Sequence, residues 1–206
     1  MSLVYVLGVA CFLLVVWLAY GVKRIGSISN GEPIRARNNS ALLLIDLQSV
    51  FWERGPYTEA ARQSAEAVIL REVEAAQAEG HPVIALRQEW SIPSTKAVAR
   101  LTMKGQAIEG SAGTELAEVF SSFPDYVIVK RVQDAFETGE LDALLERLDV
   151  GKLRILGLDL NYCVQKTALA ARNRGYEAAI VKAGTLSAAP TERAENRMIS
   201  RGVAIC

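Results

Sequence analysis

Apolar and polar positions divide the chain into three unequal parts. Residues 3–22, LVYVLGVACFLLVVWLAYGV, contain no charged side chain. Residues 26–40, GSISNGEPIRARNNS, are polar and rich in turn formers. From Ala41 onward, short apolar runs alternate with segments of helical spacing. Strands are predicted at Ala41–Asp46, from Pro82 through VIALRQ, and at Asp125–Arg131, Leu153–Leu158, Tyr176–Val181 and Val203–Ile205. A helix is predicted over Thr58–Glu79, where Ala61, Ala65, Val68, Ile69, Val73 and Ala76 recur at helical spacing. Thr58 suits its N-cap and Gly80 its stop. Further helices are expected at Thr138–Leu148, Tyr162–Arg174 and Thr191–Ser200. Ser91–Phe123 is the least regular region, with short helical pieces. Strands separated by helices imply an α/β fold: a doubly wound, mostly parallel sheet of about six strands with helices on both faces. The strand runs are mostly apolar, as a sheet covered on both sides requires.

The first apolar run is about the 20 residues that a helix needs to cross a bilayer. Trp17 and Tyr20 lie near its end, where interfacial aromatics concentrate, and Lys23 and Arg24 follow at once. No positive side chain precedes the run, so the positive-inside tendency predicts a single-pass anchor with the downstream domain in the cytoplasm. A cleaved signal peptide would begin with a charged region and have a shorter apolar stretch. A buried helix without a polar face would need protein on all sides. The expected organisation is therefore a transmembrane anchor over 1–24, a linker of low order over 25–40, and one globular domain over 41–206.

Acidic and basic side chains balance at 23 each, so no global field draws nucleic acid. The three cysteines, Cys11, Cys163 and Cys206, are scattered and odd in number, unlike a disulfide framework. A reducing compartment is the simpler expectation, and it would keep a thiol usable. The single histidine, His81, lies between a helix stop and Pro82 with no cluster of ligands beside it. No metal and no cofactor are expected.

Chemistry concentrates in Gly157–Tyr176, where a buried strand turns sharply into a helix that begins near Cys163. Unpaired N–H groups at a helix start favour thiolate over thiol, and the thiolate is the nucleophile. Asp46 and Lys130 each close an apolar strand run. Strand carboxyl ends of an open parallel sheet meet at one crevice, so the sequence predicts that Asp46, Lys130 and Cys163 converge there.

The blocks ALLLIDLQSVF (Ala41–Phe51), VIVKRVQDAFETGELDALL (Val127–Leu145) and LGLDLNYCVQKTALAARNRGY (Leu156–Tyr176), with the connector SAGTEL (Ser111–Leu116), resemble the isochorismatase-like cysteine hydrolases. That family includes nicotinamidases, N-carbamoylsarcosine amidases, and ureidoacrylate and biuret hydrolases. The resemblance runs from about Ala41 to the C-terminus. It implies catalytic roles for Asp46 as proton carrier, Lys130 as its cationic partner and Cys163 as nucleophile. It also implies a cis peptide in the turn, at Leu158–Asp159 or an adjacent bond, and commonly a homo-oligomer. The backbone N–H groups of Asp159 and Cys163 are the oxyanion-hole candidates. Many nicotinamidases carry a metal held by an aspartate and several histidines, which this chain lacks. Members acting on isochorismate commonly lack the cysteine, so Cys163 points to a C–N bond. The expected reaction is cleavage of a small-molecule amide or ureide through a thioester.

Asp159 departs from the small residue or threonine of many relatives, and it is expected to face solvent. Gln48, Phe51, Trp52, Gln88, Trp90 and Phe136 are substrate-binding candidates by their position near strand ends, each equally suited to core or lid packing; Trp52 and Trp90 could stack on a flat amide-bearing group or cover the sheet edge. The alternative is a catalytically silent domain acting as an interaction subunit of a membrane complex, since fold similarity alone does not establish function.

Overall fold

A computed structural model describes residues 3–206. The first helix, α1 (Leu3–Ile25), extends over 23 residues. The domain follows as β1 (Asn39–Ile45), α2 (Ser49–Trp52), α3 (Glu59–Ala78), β2 (Val83–Gln88), α4 (Pro93–Thr102), β3 (Tyr126–Lys130), α5 (Glu140–Arg147), β4 (Val150–Gly157), α6 (Gln165–Asn173), β5 (Glu177–Thr185), α7 (Glu192–Ile199) and β6 (Ala204–Ile205). The six strands form one sheet in the order β3-β2-β1-β4-β5-β6, and every pairing is parallel.

Strand periodicity splits β1 between two cores. Leu43 and Ile45 join Ile155, Leu160, Ala168 and Tyr176 beneath α5, α6 and α7. Leu42 and Leu44 point the other way, against Ile69 and Val73 of α3. Each such buried aliphatic side chain stabilises the fold by about 2 kcal/mol relative to exposure. The caps follow the sequence. The Ala61 N–H donates to the Thr58 side chain at 3.2 Å, and Gly80 leaves α3 with a φ of 70°.

The sheet's winding reverses at β1, between β2 on one side and β4 on the other. Gly157 ends β4 at that point with a φ of 121°. A Cβ there would collide with the Ile45 carbonyl, which instead accepts the Leu158 N–H at 2.9 Å. The close approach of β1 and β4 at their carboxyl ends thus depends on glycine.

Two expectations need correction. The 26–38 stretch has no helix or strand, as expected of a linker, but it is not loosely held. The Ser29 N–H and hydroxyl donate to Asp134 at 2.7 and 2.6 Å, the Ile34 N–H donates to the Arg174 carbonyl at 2.8 Å, and Ile28 and Ile34 pack on the core. Polar composition hid these specific anchors. The helix expected over Tyr162–Arg174 is preceded by a π-helical turn, Leu160–Val164, and α6 proper starts at Gln165. Such turns concentrate at functional sites.

α1 is apolar and long enough to cross a membrane. Val4, Tyr5, Phe12, Leu13, Leu14 and Val15 are exposed along it. Only its last turns pack on the domain: Leu18 and Ile25 join Val50, Trp90, Val98, Ala99 and Ala107. Gly21 faces Ser94 so closely that an added Cβ would lie 2.8 Å from its carbonyl oxygen.

Candidate active site

Asp46 follows β1 directly and takes a φ of 53°, a region that non-glycine residues visit rarely and that recurs at functional sites. Its N–H donates to the Leu86 carbonyl at 2.9 Å. The turn carries the carboxylate across the strand end towards β3. There the Lys130 Nζ donates to Asp46 Oδ2 at 2.9 Å, to Gln88 Oε1 at 2.6 Å and to the Val132 carbonyl at 3.5 Å. Lys130 is fully buried and Asp46 nearly so. Among the described residues, the second carboxylate oxygen, Asp46 Oδ1, is buried without a hydrogen-bond partner.

Cys163 sits in the π-helical turn, buried in the same core as Leu160 and Phe136, and close enough that Asp46 and Lys130 both bias its titration. Burial pushes the thiol pKa up, Asp46 adds to the rise, and Lys130 opposes it. Removal from water thus works against ionisation of the sulfur, opposing the pull of the helix start and of the ammonium group that the sequence pointed to. Asp46 is also raised, first by burial and against the pull of Lys130. Burial alone would depress Lys130, but Asp46 and Cys163 lift it above the usual lysine value. The arrangement is a buried ion pair with one free carboxylate oxygen beside a neutral thiol. Such a carboxylate can take a proton from the thiol as the sulfur attacks.

The peptide between Leu158 and Asp159 is cis. Among the described residues the Asp159 N–H meets no acceptor, whereas the neighbouring Leu160 N–H donates to the Leu186 carbonyl at 2.9 Å. The Asp159 side chain is half-buried and hydrogen-bonded within the protein, where the expectation was that it faces solvent. Its Oδ2 accepts the Tyr57 hydroxyl at 3.2 Å and the Ala188 N–H at 2.8 Å, and its Oδ1 accepts the Asn161 N–H at 2.8 Å and the Ser187 hydroxyl at 3.4 Å. These bonds tie the Cys163 turn to two loops. Burial, with Asp159 next to it, holds the Tyr57 hydroxyl protonated far above its ordinary range.

The expected substrate-binding side chains are mostly structural. Gln48 and Gln88 are fully buried. Gln48 donates to the Gln88 and Thr114 carbonyls at 3.0 and 2.8 Å and accepts the Gln88 N–H at 2.6 Å. Gln88 in turn orients Lys130. Trp52 is buried edge-on against Phe120 at 4.8 Å, so it does not present a stacking face. Trp90 is buried beneath α1 and α4. Phe136 packs on Tyr176 at 5.7 Å and carries the Arg174 guanidinium 4.6 Å above its ring. Phe51 is half-buried between two clusters. Strand-end position brought these residues near the edge, but the apolar ones were taken up by packing.

Tyr57, Ser187 and Tyr162 were missed. Tyr162 is 52% exposed and adjoins Cys163 in sequence, which was the available signal. Tyr57 and Ser187 lie in loops whose pairing with Asp159 no local pattern announces. An open cavity of about 660 Å³ lies at the opposite edge of the sheet, where His81, Glu72 and Arg154 contribute to its wall. Chemistry rather than volume locates the site.

His81 contacts Glu79 at 3.1 Å at that far edge. Among the described residues no three histidine, cysteine, aspartate or glutamate side chains gather as a metal site would need. The residues of this chain do not fit the histidine-rich metal site of many nicotinamidases, and no step is drawn through a metal.

A family model described as the isochorismatase domain matches residues 40–205. An Arabidopsis thaliana protein named "Probable inactive nicotinamidase" is 28% identical over 177 residues, covering 81% of this chain and 90% of that protein. An isochorismatase family protein from Desulfovibrio vulgaris superposes with a TM-score of 0.70 at 26% identity, covering 82% of this chain and 94% of the other. The zinc complex of a pyrazinamidase from Pyrococcus horikoshii superposes at 0.69 and 22% identity, covering 82% and 99%.

Proposed function

The chain belongs to the isochorismatase family, and from that premise we propose that it is a membrane-anchored cysteine hydrolase. Its reaction is cleavage of a C–N amide or ureide bond of a small molecule through a thioester. The observation that carries this reading is the buried Lys130–Asp46 pair with Asp46 Oδ1 left free beside the Cys163 thiol. Asp46 takes the thiol proton as the sulfur attacks the carbonyl carbon, then delivers it to the departing nitrogen. Lys130 stays protonated and steadies the carboxylate. The N–H groups of Asp159 and Cys163 receive the developing oxyanion. Water then attacks the thioester with Asp46 as base, releasing an acid or carbamate and restoring the thiol. The length and exposure of α1, with Lys23 and Arg24 in its last turn, support an anchor with the domain on the cytoplasmic side.

The test is hydrolysis of nicotinamide, ureido acids, biuret and short aliphatic amides, with mass spectrometry of acid-quenched enzyme. Turnover of at least one compound is expected, with an acyl mass on Cys163 and none on Cys163→Ala. Turnover that survives Cys163→Ala ends the proposal. The name of the Arabidopsis relative favours a second reading, a silent domain serving as an interaction subunit. That reading gains if no amide is cleaved and the detergent-extracted chain copurifies with fixed partners.

A further inference from the structure

The way α1 is docked fixes which side of the domain meets the bilayer. The helix ends at the carboxyl edge of the sheet, on the loop that follows β3: the Gln133 N–H donates to the Ile25 carbonyl at 3.1 Å, and Arg24 pairs with Glu137 at 3.1 Å. Ser29 is fastened to Asp134 four residues later. Leu18, Gly21 and Ile25 pack on Trp90, Val98 and Ser94, which belong to the loop and helix beyond the carboxyl end of β2. The apolar run continues to Val22, yet contact with the domain begins at Leu18. Four residues of helix advance about 6 Å. An interfacial layer is roughly 5–7 Å deep on each side of the hydrocarbon core. A helix that spans through Val22 therefore draws the domain surface around α4 into the headgroup layer. Trp17 and Tyr20 are exposed at that level, where amphipathic rings are favoured.

The surface brought there suits the location. α4 and the turn after it expose Arg100, Leu101, Thr102 and Lys104, with Leu101 71% exposed, and Lys23 lies exposed at the end of α1. An apolar side chain among cations is the pattern of a surface lying on anionic lipid. The amino-terminal edge, marked by Pro82 and Lys152, stands about 20 Å away, the length of a six-residue strand.

We propose that α4 and the carboxyl edge of the sheet rest on an anionic bilayer surface, so that the Cys163 turn opens beside the headgroups rather than towards bulk water. This rests on α1 crossing the bilayer and not on hydrolysis. The experiment uses the full chain with Cys11→Ser, Cys163→Ser and Cys206→Ser, carrying a fluorophore at Thr102→Cys, Ala189→Cys or Lys152→Cys. Each is reconstituted in vesicles of equal parts phosphatidylcholine and phosphatidylglycerol that contain a headgroup-nitroxide lipid. Several-fold quenching at position 102, clear quenching at 189 and almost none at 152 are expected. Equal quenching at all three, or most at 152, overturns the orientation. A label at 102 shielded from lipid by a second copy of the chain overturns it equally. A chain that does not float with vesicles overturns it while leaving hydrolysis to be judged by the acyl-enzyme test.

Discussion

At the residue scale the site turns on one choice, to keep a carboxylate, an ammonium group and a thiol together out of water. Taking an ion out of water costs several kcal/mol, and the pair is tolerable because Lys130 finds three acceptors while Asp46 receives one strong bond. Removing one partner leaves a buried unpaired charge, which costs about 3–5 kcal/mol. Lys130→Met is expected to lose that much stability near neutral pH by denaturant unfolding. Part of the loss should return as pH falls from neutral towards the ordinary carboxylate range at about 4, because burial raises the folded pKa of Asp46 and the group becomes neutral within that window. A loss independent of pH would show that Asp46 does not hold the buried charge. The thiol gives a second test. Its folded pKa is raised, so its contribution to stability is whole below the ordinary thiol range near 8.5 and fades as pH rises above it. Cys163→Ala should remove that alkaline fade. In parallel, alkylation of Cys163 by iodoacetamide should accelerate through the alkaline range. A rate already maximal at acidic pH would mean a resting thiolate and would contradict the burial argument.

At the scale of elements, the Cys163 turn is positioned by Asp159, whose carboxylate gathers Tyr57, Asn161, Ser187 and Ala188. Each neutral donor to a charged acceptor contributes about 1.5–3 kcal/mol when both are desolvated, less at this half-buried position. Asp159→Ala is expected to lower kcat at least tenfold with little change in KM, while Tyr57→Phe, which removes one donor of the four, should do so mildly. A change in KM alone would assign Asp159 to substrate binding instead. This turn also shows what the sequence could and could not convey. Apolar runs with a charge at the end announced β1 and β3, and the parallel sheet then required Asp46 and Lys130 to share an edge. Thr58 and Gly80 bounded α3 to within a residue. The Asp159 lattice was illegible because its donors come from two loops far apart in the chain, with no periodicity to relate them. The roles of Trp52, Trp90 and Phe136 stayed open for a related reason: closeness to a strand end is written in the sequence, but whether a ring turns towards the cleft or the core depends on partners such as Phe120, α1 and Arg174.

At the scale of the whole molecule, α1 and the domain are one packed body at their junction, although composition separates them. The apolar run reads as a free-standing span, yet Leu18, Gly21 and Ile25 complete a cluster with Val50 and Trp90 and with Val98, Ala99 and Ala107 of the segment that looked least regular. Removing residues 1–24 would uncover Val98 and Trp90 and cut the Arg24–Glu137 pair, leaving Ile25 without its helix. Exposing two or three apolar side chains that are now covered costs about 2–4 kcal/mol at 25 cal/mol per Å² of area returned to water. For a domain of this size each kcal/mol lowers Tm by about 2–4 °C. The truncated chain is thus expected to fractionate as a soluble protein, to keep the Asp46–Lys130–Cys163 geometry, and to melt roughly 5–15 °C below the full chain. Gly21→Leu in the full chain is the matched variant. It keeps the span but forces a side chain against the Ser94 carbonyl, and small-to-large insertions of this kind cost about 1–3 kcal/mol. It should therefore stay in the membrane fraction while reproducing part of the drop in Tm. If truncation leaves Tm unchanged, α1 is only a tether. If Gly21→Leu is silent while truncation is not, the stabilising contact lies at Ile25 and Arg24 and not along α4.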